Sequence, residues 1–170
     1  MIVSQRQNIA QWLALLLPAG LLGGALFSQY VLGLAPCEMC YWQRWPHWAA
    51  IALGAAGLIA LPRVPGLARF LGLAAALAIA ASGLIGAFHA GVEYGWWQGF
   101  TECTSGVAGA SSEDLMKSIM NAPLVRCDQP QWTLFGISLA GFNFLISLGG
   151  ALLIGLLLRA PARTDRTIAG

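Results

Sequence analysis

Two cysteines separated by two residues, Cys37 and Cys40 in Pro36-Cys37-Glu38-Met39-Cys40-Tyr41-Trp42-Gln43-Arg44, can close a small disulfide and open it again. The same residues in lipid can also be two small hydrophobes, so their surroundings decide. A second pair, Cys103 and Cys127, stands in the most polar part of the chain. Four thiols in two sets can relay electrons as well as brace a fold. As a static bridge, Cys103 and Cys127 enclose 23 residues, which is worth about 3 kcal/mol through restriction of the unfolded chain. A structural membrane protein with static disulfides is therefore the alternative to a redox relay. A zinc site is disfavoured, because the 62 residues between Cys40 and Cys103 do not match finger or ribbon spacing. No metal is expected.

Arg44 lies four residues after Cys40, close enough for its guanidinium to turn back toward that sulfur. It can stabilise a Cys40 thiolate or donate hydrogen bonds to the oxygen of a reducible ligand. The plainer role is an interfacial arginine reaching phosphate headgroups. His89 and Glu93 are one helical turn apart. A histidine there can supply a proton to a reduced ligand, since its ordinary pKa of about 6.5 is close to ambient pH; a structural histidine is the competing role. His47 has only its proximity to Arg44 in its favour, and Ser28 and Gln29 read as interfacial.

The elements that must position these residues follow from composition. With 58% hydrophobic residues, only 9% charged and a mean hydropathy of +0.69, the 170-residue chain cannot coat a soluble globule of its size. Four apolar segments are long enough to cross a bilayer as helices: 9–34, 41–61, 70–92 and 134–158. The second starts inside the dithiol motif near Tyr41, which puts Pro46 in its first turn. The first segment follows Arg6 but is too long for a signal-peptide core, so it stays as a span. The expected fold is an all-α membrane protein, one integral domain over 1–170, with a four-transmembrane-helix bundle.

Charge orients the spans. Arg6, Arg63, Arg69, Arg159, Arg163 and Arg166 fall on one side, which is cytoplasmic by the positive-inside rule, together with both termini. All four cysteines then lie outside, and the outer side of a bacterial inner membrane is oxidising. Most tryptophans fall near outer span ends, where indoles favour the headgroup region.

The outer loop, 93–133, is the only long polar stretch. Within it Ser111-Ser112-Glu113-Asp114 opens a short amphipathic helix, with Ser111 as N-cap and Leu115, Met116, Ile119 and Met120 on one face. Small residues in the third span, Gly83, Gly86, Ala87, Ala90 and Gly91, let helices approach closely. Near its outer end they could also leave room for a flat ligand.

These residues resemble the DsbB family, disulfide bond formation proteins of bacterial inner membranes. The likeness rests on Pro36-Cys37-x-x-Cys40-x-x-Gln43-Arg44, on a dithiol after span one and a cysteine pair after span three, and on Gln131-Trp132 after the last cysteine. It covers nearly the whole chain. The resemblance implies a thiol:quinone oxidoreductase that reoxidises a soluble thioredoxin-like partner, DsbA, and passes the electrons to ubiquinone or menaquinone. DsbA is a strong oxidant, so only a more oxidising acceptor can draw its electrons off, and the DsbA, DsbB and quinone relay is itself the known example of a compartment kept oxidising in this way. By motif position Cys103 resembles the cysteine that forms the mixed disulfide with the partner, and Cys127 its resolving mate, which exchanges with Cys37. Cys40 looks like the thiolate that contacts the quinone, with Arg44 beside the quinone oxygen and His89 near the position of a family histidine. Gln43 stands where the family motif often has Glu.

Overall fold

The structure, a computed structural model, describes residues 5–99 and 125–159. Among these are helices α1 (Gln5–Tyr30), α2 (Glu38–Ala60), α3 (Pro65–Glu93) and α4 (Leu139–Arg159), with a hairpin of β1 (Thr133–Leu134) and β2 (Ile137–Ser138) leading into α4. α3 packs against α2 and α4, and α1 closes the ring by packing against the same two. The expected all-helical membrane architecture is thus present. α1, α3 and α4 are each long and apolar enough to cross a membrane. α2 is less apolar because Glu38, Gln43, Arg44 and His47 occupy its first half, although its 23 residues would reach about 34 Å.

The bundle is built with small residues inside and large ones outside. Ala10, Ala14, Ala50, Ala75 and Ala76 are buried around Ile79 and Ile154, whereas Leu16, Phe70, Leu77, Leu84 and Leu152 are exposed. Lipid competes with protein for large apolar side chains, so helices associate through close backbone approach instead.

Two prolines sharpen that packing. Pro18 lies inside α1, where it removes the hydrogen bond to the carbonyl of Ala14. α2 meets that carbonyl at Gly54, where a Cβ would stand only 2.8 Å from the oxygen. Pro46 lies inside α2 rather than in its first turn. The helix begins early because Cys37 caps it: its backbone is extended, and its sulfur accepts the Cys40 N–H at 3.3 Å. Near Pro46, the buried Ser82 of α3 donates to the Gln43 carbonyl at 2.8 Å, which ties α2 to α3 at that level.

α1 stops at Tyr30 although apolar residues continue to Leu34. Gly33 takes φ +72°, and the Leu34 N–H turns back onto the Ser28 carbonyl at 3.0 Å. The apolar run from Leu134 opens as a hairpin, pairing Thr133 with Ser138 and Leu134 with Ile137. Its two-residue turn, Phe135 and Gly136, has positive φ at both positions, the geometry that matches strand twist. Tyr94 at the end of α3 pins it, donating to the Gly136 carbonyl and accepting the Ser138 N–H.

Candidate functional site

The helix cap that starts α2 also builds the dithiol. Cys37 stands in the link from α1 and Cys40 on the first turn, with their sulfurs 2.9 Å apart. Cys127 packs with Cys37, Met39 and Val92 in one buried cluster, against which Cys40, Phe88 and Val125 also lie. Three of the four cysteines are therefore together. Cys103 and the expected amphipathic helix at 111–120 lie outside the described residues. The hydrogen bond with Cys40, followed by burial, pushes the Cys37 thiol well above its ordinary range.

His89 reaches this cluster from α3. Its Nε2 is 3.5 Å from the Cys37 sulfur and 3.7 Å from a Glu93 carboxylate oxygen, and the ring also hydrogen-bonds the Cys127 backbone. Its Nδ1 is 2.8 Å from the Gln43 amide nitrogen. That nitrogen also bonds the Met39 carbonyl at 3.2 Å, while the Gln43 oxygen accepts from Asn143 at 2.9 Å. An amide nitrogen only donates, so Nδ1 accepts and the ring proton sits on Nε2. Glu93 is held in turn by the hydroxyl of Ser138.

Arg44 makes its hydrogen bonds toward α1. Its guanidinium bonds the Gln29 side chain at 2.5 Å and the Ala25 carbonyl at 3.3 Å and lies over the Tyr41 ring, 5.2 Å from its centre. Gln29, which reads from sequence as interfacial, is thus the anchor of Arg44. His47, the weaker candidate, joins a buried network with Ser82, Asn143 and Ser147. Sequence reasoning passed over Asn143, Ser82 and Ser138. Asn143 had a usable signal, since an amide in the middle of an apolar span is costly unless bonded.

A cavity of about 280 Å³ opens beside the dithiol, bounded by Cys37, Cys40, Arg44, His89 and Trp132 and by apolar residues of α1 and α4. The glycines that border it are Gly20 and Gly24 of α1, where a Cβ would meet nothing. The small residues of α3, which could also have left such room, do not border this cavity and serve close packing instead. Gly83 is filled by Ser147 and Leu148, Gly86 by Ala140 and Asn143, and Gly91 lies beneath the Trp97 ring. Trp97 is fixed there by its indole N–H, bonded to the Phe88 carbonyl at 2.9 Å. The link after Cys127 is tied down beside the dithiol, because Gln131 donates to the Ala35 carbonyl at 2.5 Å. Nearby, the Arg126 guanidinium holds the Asp128 carboxyl below the usual carboxylate range.

Three sulfurs in one buried cluster can pass a disulfide between them, and an adjoining cavity can admit a flat ligand beside Cys37 and Cys40. Comparison with known proteins agrees with that chemistry. The sequence matches the family Disulfide bond formation protein DsbB over residues 7–157. A disulfide bond formation protein B 2 of Pseudomonas syringae pv. syringae is 34% identical over 160 residues, covering 87% of this chain and 86% of its own. The disulfide bond formation protein B of Nitrosomonas europaea is 29% identical over 156 residues, 85% of this chain and 89% of its own. That of Vibrio vulnificus is 44% identical over 81 residues, 46% of this chain and 45% of its own. No solved structure matches. The match runs through all four helices and the dithiol turn between the first two, and on that ground the chain belongs to the DsbB family of disulfide bond formation proteins.

Proposed function

We propose that this protein is a thiol:quinone oxidoreductase that oxidises a periplasmic DsbA-like protein of thioredoxin fold and passes the electrons to a membrane quinone, ubiquinone or menaquinone. The observation that carries this reading is the packing of Cys37, Cys40 and Cys127 into one cluster beside a cavity lined by Arg44 and His89. In this reading the chain is a single domain, 1–170, with spans at 9–34, 41–61, 70–92 and 134–158 joined by an outer loop at 93–133. Both termini are cytoplasmic, and the cysteines face the periplasm of the bacterial inner membrane.

The exchange is written for a Cys103–Cys127 and a Cys37–Cys40 disulfide. A partner thiolate attacks Cys103, forming the mixed disulfide and releasing Cys127 as a thiolate. Cys127 attacks Cys37, which breaks the Cys37–Cys40 bond and releases Cys40. The partner's second thiol then displaces Cys103 and leaves the partner oxidised. Cys103 attacks Cys127, restoring their disulfide and freeing Cys37. Two electrons now reside on Cys37 and Cys40.

The cavity fits a flat ring with carbonyl oxygens, since its walls are largely apolar and a guanidinium stands at its edge. A quinone held there would supply the acceptor for the two electrons and two protons released when Cys37 and Cys40 close again. Arg44 would be placed to donate to an oxygen of such a ring, and His89 keeps an N–H directed at the Cys37 sulfur.

Purified protein given a reduced thioredoxin-like dithiol and a soluble quinone is expected to convert the quinone to quinol. Cys103→Ser should stop partner oxidation while Cys37 and Cys40 still pair, and Cys127→Ala should accumulate a mixed disulfide through Cys103. Disulfides that stay unchanged in the presence of both reactants would establish static braces instead.

A further inference from the structure

The sulfurs of Cys37 and Cys40 and Nε2 of His89 lie within 4.8 Å of one another. The long spacing that disfavours zinc separates Cys40 from Cys103, whereas here the fold brings the third donor from α3. Tetrahedral zinc, with bonds of about 2.3 Å to sulfur and about 2.05 Å to nitrogen, separates a sulfur from a nitrogen by about 3.6 Å and two sulfurs by about 3.8 Å. Cys37 and His89 already stand at 3.5 Å. The two sulfurs, at 2.9 Å, must part by roughly 0.9 Å to meet that geometry, which a rotation of the half-buried Cys40 side chain supplies. Charge favours the same set. Two thiolates balance a divalent cation, so with a neutral imidazole the complex carries no net charge and can stay buried.

We propose that the reduced Cys37–Cys40 pair and His89 bind a thiophilic divalent cation such as zinc or cadmium, its fourth position open to the cavity, and that Gln43 sets how tightly. Binding releases the two thiol protons and changes no oxidation state. Closing the Cys37–Cys40 disulfide removes both sulfur donors, so the site exists only in the reduced protein and its occupant blocks reoxidation.

Gln43 matters because of the histidine proton. His89 can offer Nε2 to a metal only with its proton on Nδ1, and an outer group that accepts that proton tightens such sites about 10- to 100-fold. Gln43 presents its NH₂ group to Nδ1, and its bonds to Met39 and Asn143 hold it in that sense. It therefore works against the metal and keeps the dithiol available for electron transfer. A carboxylate at the same position would accept the proton and reverse the effect.

The test needs neither partner nor quinone, so its failure leaves the oxidoreductase reading intact. Protein carrying Cys103→Ser and Cys127→Ser is reduced in detergent and titrated anaerobically with cadmium, following the sulfur-to-cadmium charge-transfer absorption. One cadmium per chain is expected, lost after Cys37→Ser or after oxidation of the pair. Affinity should fall about 10-fold in His89→Ala and rise about 10-fold in Gln43→Glu. The rise is a gain that misfolding cannot imitate. Equal affinity in the parent, His89→Ala and Gln43→Glu would overturn the proposal, as would absence of the band in both the reduced parent and Gln43→Glu.

Discussion

Cys37 and Cys40 are the same residue type in the same turn, yet it is the Cys37 sulfur that accepts the capping N–H of Cys40 and is buried against Val92 and Cys127. Its thiol is pushed up chiefly by the hydrogen bond with Cys40. A raised value means the proton is held more tightly, so reactivity with an alkylating reagent disappears as pH falls below that value. In reduced Cys103→Ser Cys127→Ser protein, the pH midpoint for alkylation of Cys37 should lie above that of an ordinary cysteine, about 8.5, and return toward it in Cys40→Ala. Mass spectrometry of the labelled peptides reads this directly. Arg44 offers a second check at this scale. Its two bonds to α1 use two nitrogens of a planar fork, which a lysine cannot reproduce. Arg44→Lys should raise the KM for quinone about 10-fold, the equivalent of roughly 1.4 kcal/mol for one charge-assisted hydrogen bond, with partner exchange unchanged in a stopped-flow assay. The cysteines, Arg44 and His89 were legible from residue type and spacing. Gln29, Ser138 and Asn143 were not read as partners, because each meets its partner from a different element.

At the level of the helix, packing depends on where a backbone can be approached. Gly54 faces the Ala14 carbonyl that Pro18 leaves without its helical partner, so any side chain there must push α1 and α2 apart. Gly54→Val should destabilise the protein in detergent by about 1–3 kcal/mol, lowering its thermal midpoint, whereas Gly149→Ala, with open space around it, should change little. Differential scanning fluorimetry of the pair separates a packing effect from a general glycine effect. Helix positions could be read from hydropathy, but their ends could not. α1 gives way after Tyr30 to a turn with Gly33 in the left-handed region, and α4 is preceded by a hairpin held by Tyr94. Both depend on single turns that a long apolar run conceals. Similarly, the small residues of α3 signalled close packing correctly, but which glycines border a cavity depended on whether Trp97, Ser147 and Leu148 fill the space.

For the molecule as a whole, large apolar residues face outward and small ones inward, which is the arrangement that lipid rather than water selects. Reporter fusions at the two ends should report the same side of the membrane, and a membrane-impermeant maleimide should label the reduced cysteines of intact spheroplasts from the opposite side. Labelling only after permeabilisation would reverse the proposed orientation. The sequence by itself determined the helical, membrane-crossing class and the disulfide chemistry, because hydropathy and thiol reactivity are properties of single residues and short segments. Tertiary structure alone decided that His89 and Cys127 meet Cys37, that Gln43 directs the His89 proton, and that the glycines bordering the cavity are those of α1 rather than those of α3. Those outcomes depend on how four helices rotate against one another, and rotation is set by the summed fit of many small side chains that no local pattern encodes.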